Sequence, residues 1–426
     1  MRELPSGWVS ARLADFCEVY QPPTISKSQL SSNGLYPVYG ANGVIGRYDE
    51  YNHEDSQLLI TCRGATCGSV NISEPKSWIN GNAMVVQPNK NCAELKFAEY
   101  FFRGAADYSA IISGSAQPQI TRQTLAPTLF PLPPLPEQRR IVRKLDTLTA
   151  RTTTARTHLT AIKKLVERYK NRMIVKAYSG RLTRPDREYV ASDKEGLWDI
   201  PDQWQWQTIG DVAEIQPCLT PVSEIQDLPH IAPDNIEKNT GKLLDYRTIG
   251  EDGVISAKHK FFKGQIVYSK IRPYLRKAVL SVFDGACSAD MYPISVKSNC
   301  ALKYLFYWLL SEDFSYFTSL SDGRTVLPKI NMKQLNAAPV PWCEIDEQHE
   351  IVRRIETAFA KIDRLAAEAK KALKHTDRLD QRILAKAFAG ELVPQDPNDE
   401  PAEILLARIR AERAAPKARR GRETRK

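Results

Sequence analysis

The sequence predicts an α+β protein with two mixed α/β domains separated by two long antiparallel coiled-coil helices, arranged as a pseudo-two-fold internal repeat. The first observation is a stretch that occurs twice. FPLPPLPEQRRIV (130–142) and KAYSGRL (176–182) return 210 residues later as VPWCEIDEQHEIV (340–352) and KAFAGEL (386–392). Loops tolerate changes of length, so a constant offset indicates a rigid element and a two-fold architecture.

The second observation is a 3.5-residue apolar period after each proline-containing run, which is typical of a coiled-coil seam. Prolines precede the helix, where they do not break it, and Gly180 and Gly390 follow it as C-caps. Two such helices in one chain most simply pack antiparallel. The residues predicted for this seam, or for binding a partner, are Ile141, Leu145, Leu148, Leu159 and Ile162, then Ile351, Ile355, Ile362 and Leu365.

The front of each half also repeats, since the pattern beginning at Trp8 returns at Trp204. Between the anchors, β-branched runs separated by Gly, Asn and Pro predict short strands and tight turns. The predicted segments are a first domain (1–135), a first spacer helix (136–182), a linker (183–198), a second domain (199–345), a second spacer helix (346–392), and a tail with a short helix and a basic end (393–426).

Composition excludes several classes of protein. The longest apolar run is too short to span a bilayer, and the N-terminus lacks the apolar core of a signal peptide. Eight scattered cysteines without metal-ligand spacing predict free thiols in a reducing cytoplasm. The net charge is +10, but residues 408–426 carry nine basic and two acidic residues. The basic balance alone is therefore a weak argument for nucleic acid.

Catalytic motifs are absent from the sequence. It has neither a methyltransferase's Gly-rich cofactor loop nor an Asn/Asp-Pro-Pro-aromatic tetrapeptide, and no GxxxxGK[ST] phosphate loop. The six histidines are dispersed. We therefore expect a chain with no catalytic residues and no metal site.

The layout of proline-rich run, Glu-Gln before Ile-Val, and long helix ending in Ala-aromatic-x-Gly-x-Leu resembles the specificity (S) subunit of type I restriction–modification systems. YSKIRPYL, GSAQPQI, GRTVLPKI and ELVPQDPNDEP also fit this family, although the second run, PVPWCEID, has lost its polyproline character. The resemblance implies two target recognition domains, each reading one half of a bipartite asymmetric DNA target. The helices would set the spacer and dock two methyltransferase (modification) subunits, joined by restriction/translocase subunits. S-adenosylmethionine would bind in the partner methyltransferase, and this chain would hold no cofactor.

Base reading needs Arg, Lys, Asn or Gln facing a groove, and phosphates need basic or hydroxyl groups. In the second half, strand alternation would place Lys270, Arg272, Tyr274 and Arg276 on one face, although an ordinary solvated sheet face has the same pattern. Gln119 and Lys329 flank the helices and are expected to position phosphates. The remaining DNA-binding candidates are Lys258, Lys260 and Lys277 in the second half and Arg47, Arg63, Asn80 and Asn82 in the first.

A different class remains open, a coiled-coil scaffold that joins partner proteins without sequence-specific DNA binding. Salt-dependent binding of duplex DNA in the presence of a methyltransferase partner would separate the two hypotheses. A third class, an enzyme, would require activity in the isolated chain.

Overall fold

A computed structural model describes residues 4–114, 117–183, 186, 188–190, 197–320 and 328–414. The chain divides into two compact units. Unit 1 comprises residues 1–159 and 371–426, and unit 2 comprises residues 160–370. The basic end of the tail (416–426) and most of the GRTVLPKI motif lie outside the described residues, as do Ser115 and Ala116 of GSAQPQI. Within the described part, no helix is long and apolar enough to cross a membrane.

The domain of unit 1 is built on a four-stranded antiparallel sheet of order β2-β8-β5-β6, with a three-stranded sheet, β4-β3-β7, and the pair β1-β9. Its elements, and the long helix that follows, are β1 (Val9–Arg12), α1 (Leu13–Phe16), β2 (Cys17–Tyr20), β3 (Tyr36–Gly40), β4 (Gly43–Tyr48), β5 (Leu58–Thr61), β6 (Val70–Ile72), β7 (Trp78–Ile79), β8 (Ala83–Pro88), α2 (Leu95–Gly104), α3 (Tyr108–Ile111), α4 (Arg122–Leu125), β9 (Leu129–Leu132) and α5 (Leu135–Tyr178).

The domain of unit 2 has the corresponding four-stranded sheet, β13-β20-β17-β18, a second sheet, β14-β16-β19-β15, and the pairs β12-β21 and β10-β11. The elements from here to the end of the described chain are β10 (Tyr189–Val190), β11 (Ile200–Pro201), β12 (Gln205–Thr208), α6 (Ile209–Val212), β13 (Ala213–Ile215), β14 (Leu219–Thr220), β15 (His230–Ile231), β16 (Lys258–Phe261), β17 (Ile266–Ser269), β18 (Ala278–Leu280), β19 (Gly285–Cys287), β20 (Met291–Val296), α7 (Leu302–Leu309), α8 (Glu312–Leu320), α9 (Met332–Asn336), β21 (Pro339–Trp342), α10 (Ile345–Phe388) and α11 (Ala402–Ala414).

The repeat extends into the region where the two halves differ in sequence. In unit 1, Leu58 of β5 pairs with Ile72 of β6. In unit 2, Ile266 of β17 pairs with Leu280 of β18, and both partners lie 208 residues further along the chain. The two hairpins therefore have the same register, although their side chains differ.

Each domain is closed by parts of both long helices, α5 and α10, which are 44 residues each. In unit 1, Ile141 from the start of α5 and Ala387 from the end of α10 are buried in one core. In unit 2, Ile351 from the start of α10 and Ala177 from the end of α5 are buried in the other. The Ala-aromatic motif at the end of α10 therefore packs into the domain that precedes α5, and the motif at the end of α5 packs into the domain that precedes α10.

The helices run antiparallel within each unit. In unit 1, Arg156 of α5 forms ion pairs with Asp377 and with Asp380 (2.7 Å to the latter) of α10. In unit 2, the Nζ of Lys170 lies 2.6 Å from a carboxylate oxygen of Asp363 and 4.9 Å from the ring centroid of Phe359. The predicted α+β class with two long antiparallel helices is confirmed.

The predicted seam holds best near the domains. Four of its residues are fully buried (Ile141, Leu145, Ile351 and Ile355) and Ile362 is nearly so, while Leu148, Leu159 and Ile162 are half-buried. Leu365 is 65% exposed, so its assignment to an intramolecular seam is wrong. Ile355, Ile362 and Ala369 are buried at seven-residue spacing, so this stretch of α10 buries a single position per heptad and Leu365 lies outside the buried strip.

Candidate nucleic-acid interface

The hairpin loops after β5 and β17 have the same backbone shape. We call these loops the tips: residues 62–69 in unit 1 and 270–277 in unit 2. Positive φ angles occur at Gly64 (85°) and Gly68 (88°) in the first tip. Arg272 (49°) and Arg276 (47°) take the corresponding positions in the second. Cys67 N donates to Gly64 O at 3.0 Å, as Leu275 N donates to Arg272 O at 2.9 Å.

The prediction that the second tip is a strand with a basic face is wrong. Strand β17 ends at Ser269, and Pro273–Leu275 form a 3₁₀ turn. Proline has no N–H to donate to a strand ladder, so Pro273 ends the alternation. Arg272 and Tyr274 are exposed on the tip, whereas the side chain of Arg276 is largely buried.

A second segment lies against each tip, just before the short helix that leads into the proline-containing run. We call it the strap: residues 117–121 in unit 1 and 328–331 in unit 2. Ile120 N donates to Cys62 O at 2.8 Å, and Ile330 N donates to Lys270 O at 2.9 Å. Bridges pair Gln119 with Arg63 in unit 1 and Lys329 with Ile271 in unit 2. Gln119 and Lys329 therefore occupy equivalent places beside the tips.

The residue immediately before β8 in unit 1 lies in the same cluster, as does the residue immediately before β20 in unit 2. Cys62 N donates to Asn82 O at 3.1 Å, and Lys270 N donates to Asp290 O at 3.0 Å. The structure therefore brings together three predicted residues in each unit: Arg63, Asn82 and Gln119 in unit 1, and Lys270, Arg272 and Lys329 in unit 2. Asp290 was missed by sequence reasoning, and the signal that could have found it is the 208-residue offset from Asn82.

Unit 2 concentrates charge at this cluster. The Nζ of Lys329 lies 3.0 Å from Oδ1 of Asp290. The Nζ of Lys270 donates to Ala289 O at 2.5 Å and lies 4.9 Å from the ring centroid of Tyr292. Burial lowers the pKa of Lys270, the positive charge of Lys329 lowers it further, and Asp290 opposes the shift. Two lysines and one carboxylate thus form a coupled group beside the tip.

Two guanidinium groups of the tips are presented to solvent. Arg63 and Arg272 are exposed, and neither side chain makes a hydrogen bond or ion pair with any residue in the described ranges. A phosphate or a guanine edge is the usual partner of such a group in a nucleic-acid site.

Other predicted DNA-binding residues support the fold instead. Lys258 is 7% exposed, and its Nζ donates to Ser256 O at 3.0 Å and Ser256 Oγ at 2.6 Å. Burial also lowers its pKa. Asn80 is 3% exposed and accepts from Ile25 N at 3.0 Å. Neither side chain is presented to a ligand.

Three further candidates hold loops in place. The guanidinium of Arg47 donates to Gly34 O and Leu35 O at 2.6 Å each. Arg276 donates to Asn239 Oδ1 at 3.0 Å, and Lys277 donates to Pro233 O at 2.6 Å. Lys260 lies on β16 with its Nζ 5.6 Å from the ring centroid of Phe262.

The Glu-Gln motif fixes the start of each long helix to its domain. Gln138 is fully buried, and its amide donates to Cys92 O (2.8 Å) and Pro133 O (2.9 Å) while accepting from Glu94 N (2.9 Å). Gln348 is also fully buried and makes the same three kinds of contact, with Asn299 O, Cys343 O and Ala301 N. We call each set of three hydrogen bonds the clamp.

The glutamate of the motif binds an indole. Trp8 Nε1 donates to Glu137 Oε2 at 3.1 Å, and Trp204 Nε1 donates to Glu347 Oε2 at 3.4 Å. The motif that identifies the repeat in the sequence therefore has a structural role. It sets the direction in which each long helix leaves its domain.

Large apolar side chains lie exposed on the long helices. They are Leu165 (58%), Tyr169 (52%), Val175 (46%) and Leu365 (65%) in unit 2 and Leu379 (50%) in unit 1. Contiguous exposed apolar groups mark a surface that another protein covers, and Leu165 and Tyr169, four residues apart, lie on one face of α5. Among the residues that the structure describes, no group of three or more His, Cys, Asp or Glu side chains could hold a metal ion.

Comparisons with known proteins agree on one family. Residues 5–164 and 201–375 match the type I restriction modification DNA specificity domain. The EcoDI type I restriction enzyme specificity subunit of Escherichia coli is 34% identical over 438 residues, covering 97% of each chain. The EcoBI specificity subunit of the same species is 28% identical over 383 residues, covering 84% of this chain and 80% of its own.

Solved structures show the same fold. A chain from the study titled "Structural basis underlying complex assembly and conformational transition of the type I R-M system" has a TM-score of 0.66 at 18% identity, covering 92% of this chain and 100% of that one. The HsdS subunit from Thermoanaerobacter tengcongensis has a TM-score of 0.55 at 19% identity, covering 92% and 99%. With two matched domains and a 34% identical relative aligned over 97% of each chain, this chain belongs to the family of type I restriction–modification specificity subunits, which recognise DNA targets.

Proposed function

We propose that each unit reads one half of a bipartite, asymmetric DNA target. The observation that carries this proposal is that both units have the same arrangement of the tip, the strap and the residue before β8 or β20. The side chains at these equivalent places differ between the units. A shared backbone gives both units one way of approaching DNA. Different side chains give them different base preferences, because base edges are distinguished by the donors and acceptors that meet them.

The side chains suit that task. Unit 1 offers the guanidinium of Arg63 and the amides of Asn82 and Gln119, which are the groups that pair with guanine and adenine edges in the major groove. Unit 2 offers Lys270, Arg272 and Lys329, a more positive set suited to guanine and to phosphates. The expectation that Gln119 and Lys329 position phosphates is part of this proposal.

The long helices would set the spacer between the half-sites and dock two methyltransferase subunits. Their equal lengths support a measuring role, and the exposed apolar residues Leu165, Tyr169, Leu365 and Leu379 support docking. Restriction/translocase subunits would join this assembly. The chain itself would catalyse nothing, and S-adenosylmethionine would bind in the methyltransferase. Turnover of S-adenosylmethionine by the isolated chain would contradict this assignment.

Half-site competition tests recognition. With the chain assembled on its methyltransferase partner, Lys270→Ala should weaken binding to the half-site read by unit 2, and Arg63→Ala should weaken binding to the other. Each base contact contributes roughly 1–3 kcal/mol. The measurement is competition by duplexes in which one half-site is scrambled, with the target taken from the methylated sites of the host genome.

Lys242→Ala, at an exposed position of unit 2, is the charge-matched control and should leave both half-site preferences unchanged. Equal losses at both half-sites for Lys270→Ala would contradict the division of labour. Absence of salt-dependent duplex binding by the wild-type assembly would favour the scaffold hypothesis.

An insertion tests the spacer. Four residues added beside Arg156 lengthen α5 by about 6 Å, which corresponds to roughly two base pairs along DNA. The variant should keep both half-site sequences and prefer a spacer longer by one or two base pairs, measured by selection from duplexes of varied spacing. The same insertion after Gly253, in an exposed loop of unit 2, should leave the spacing unchanged. A folded α5 variant that keeps the original spacing would show that another element measures the gap.

A further inference from the structure

Asn82 and Asp290 occupy one place in the two units. Each main-chain oxygen accepts from the first residue of its tip, Cys62 or Lys270. The turns that precede them also match, since Ala83 N donates to Asn80 O at 3.0 Å and Met291 N donates to Ser288 O at 2.9 Å. The two side chains therefore leave the backbone at equivalent points, and they differ only in carrying an amide or a carboxylate.

A carboxylate is unexpected on a surface proposed to meet DNA, because phosphates repel it. The side chain of Asp290 is nevertheless 44% exposed. Its Oδ1 accepts from Lys329 at 3.0 Å, while Oδ2 has no hydrogen-bond partner among the residues that the structure describes. Lys270 and Lys329 lie beside the carboxylate and offset its charge, which leaves Oδ2 available as an acceptor.

We propose that Asp290 determines specificity by accepting a hydrogen bond from the exocyclic amino group of a cytosine in the half-site read by unit 2. The inference rests on the proposed function. An ionised carboxylate only accepts, and cytosine presents its N4 amino donor in the major groove, which is the pairing that Asp and Glu make there. The amide of Asn82 both donates and accepts, so the equivalent position of unit 1 reads adenine through N6 and N7.

Exchange of the two side chains tests the proposal. With the chain assembled on its methyltransferase partner, binding is selected from duplexes randomised across both half-sites. Asp290→Asn should change the preference at one base pair of the unit 2 half-site from cytosine towards adenine by roughly 5- to 100-fold, and should leave the unit 1 half-site unchanged. Asn82→Asp should produce the reverse change in the other half-site, and it provides an independent variant if Asp290→Asn does not fold.

A role limited to holding Lys329 would have a different signature. Asp290→Asn would then weaken binding to all sequences alike, with no change of preference at any base pair, and that result would overturn the proposal. Asp245→Asn removes the same charge from another exposed position of unit 2 and should change no preference. If the wild-type assembly selects no bipartite sequence at all, the proposed function fails. If it selects one and Asp290→Asn leaves the preference at every base pair unchanged, only the inference about Asp290 fails.

Discussion

The tips of the two units reach the same backbone shape with opposite kinds of residue. Unit 1 places Gly64 and Gly68 at the two positive-φ positions, where glycine suffers no Cβ clash. Unit 2 places Arg272 and Arg276 there, at a cost of roughly 1–2 kcal/mol for each left-handed residue. Arg276 offsets part of this cost through its contact with Asn239.

Arg272 has no such compensation, because its exposed guanidinium makes no hydrogen bond or ion pair with any part of the chain that the structure describes. A strained backbone residue whose side chain makes no stabilising contact is typical of a functional position. The second tip is therefore less stable than it would be with glycine at position 272, but it presents a side chain there, whereas the first tip presents Arg63 from an unstrained neighbouring position.

The largest effect should come from removing the clamp, which both units have. Gln138→Ala leaves groups of Cys92, Pro133 and Glu94 without partners, at about 1–3 kcal/mol each, so we expect unit 1 to lose roughly 3 kcal/mol or more. Gln348→Ala should destabilise unit 2 in the same way. Hydrogen exchange measured by mass spectrometry separates the two units. Equal loosening of both units by either variant would show that the clamps are not local.

Arg272→Gly gives the second tip the residue of the first, so it should raise the free energy of unfolding by about 1 kcal/mol. It should also weaken half-site binding by roughly 1–3 kcal/mol. Chemical denaturation and half-site competition measure the two effects. Gly64→Ala is the converse control and should destabilise unit 1, since alanine is strained at that φ. Unchanged binding by Arg272→Gly would remove Arg272 from the interface.

The smallest effect concerns pH and Glu137, the glutamate of the first motif. Burial raises the pKa of Glu137, and Trp8 and Arg140 oppose the shift. A carboxyl whose folded pKa is raised contributes stability below its unfolded pKa of about 4.3. That contribution is lost as pH rises through the folded pKa. Glu137→Gln should remove this fall from the pH profile of unit 1 unfolding, measured by denaturant titration, and an unchanged profile would contradict the assignment.

The sequence was sufficient for the architecture because its signals are local. The 210-residue offset reflects the clamps and the helix ends, where the same side chains make the same contacts twice. Along α10 the buried positions Ile355, Ile362 and Ala369 keep the predicted seven-residue spacing. Leu365 was wrongly predicted because, beyond the domain core, the helix buries only one position per heptad.

The candidate site was harder to predict for two reasons. Alternating basic residues favoured a strand at 270–276, although Pro273 argued against it. The two tips share a backbone shape but not their side chains, so their equivalence cannot be seen in the sequence. Asp290 was not among the predicted residues because an acidic side chain does not fit a surface expected to be basic. Its place in the site becomes evident only from its equivalence to Asn82. Burial decided the remaining cases, since Lys258 and Asn80 are polar residues that serve the fold.

The discontinuous composition of unit 1 has a consequence for biosynthesis. Unit 2 is one continuous stretch, whereas the core of unit 1 includes Ala387 of α10 and Leu406 and Ile409 of α11. At 5–20 residues per second, a ribosome needs roughly 10–50 s to proceed from the first part of unit 1 to α11. During that interval the domain made first has an open apolar core, while unit 2 can already fold. We therefore expect the N-terminal domain to mature last, and to be the part of the nascent chain that most needs a chaperone.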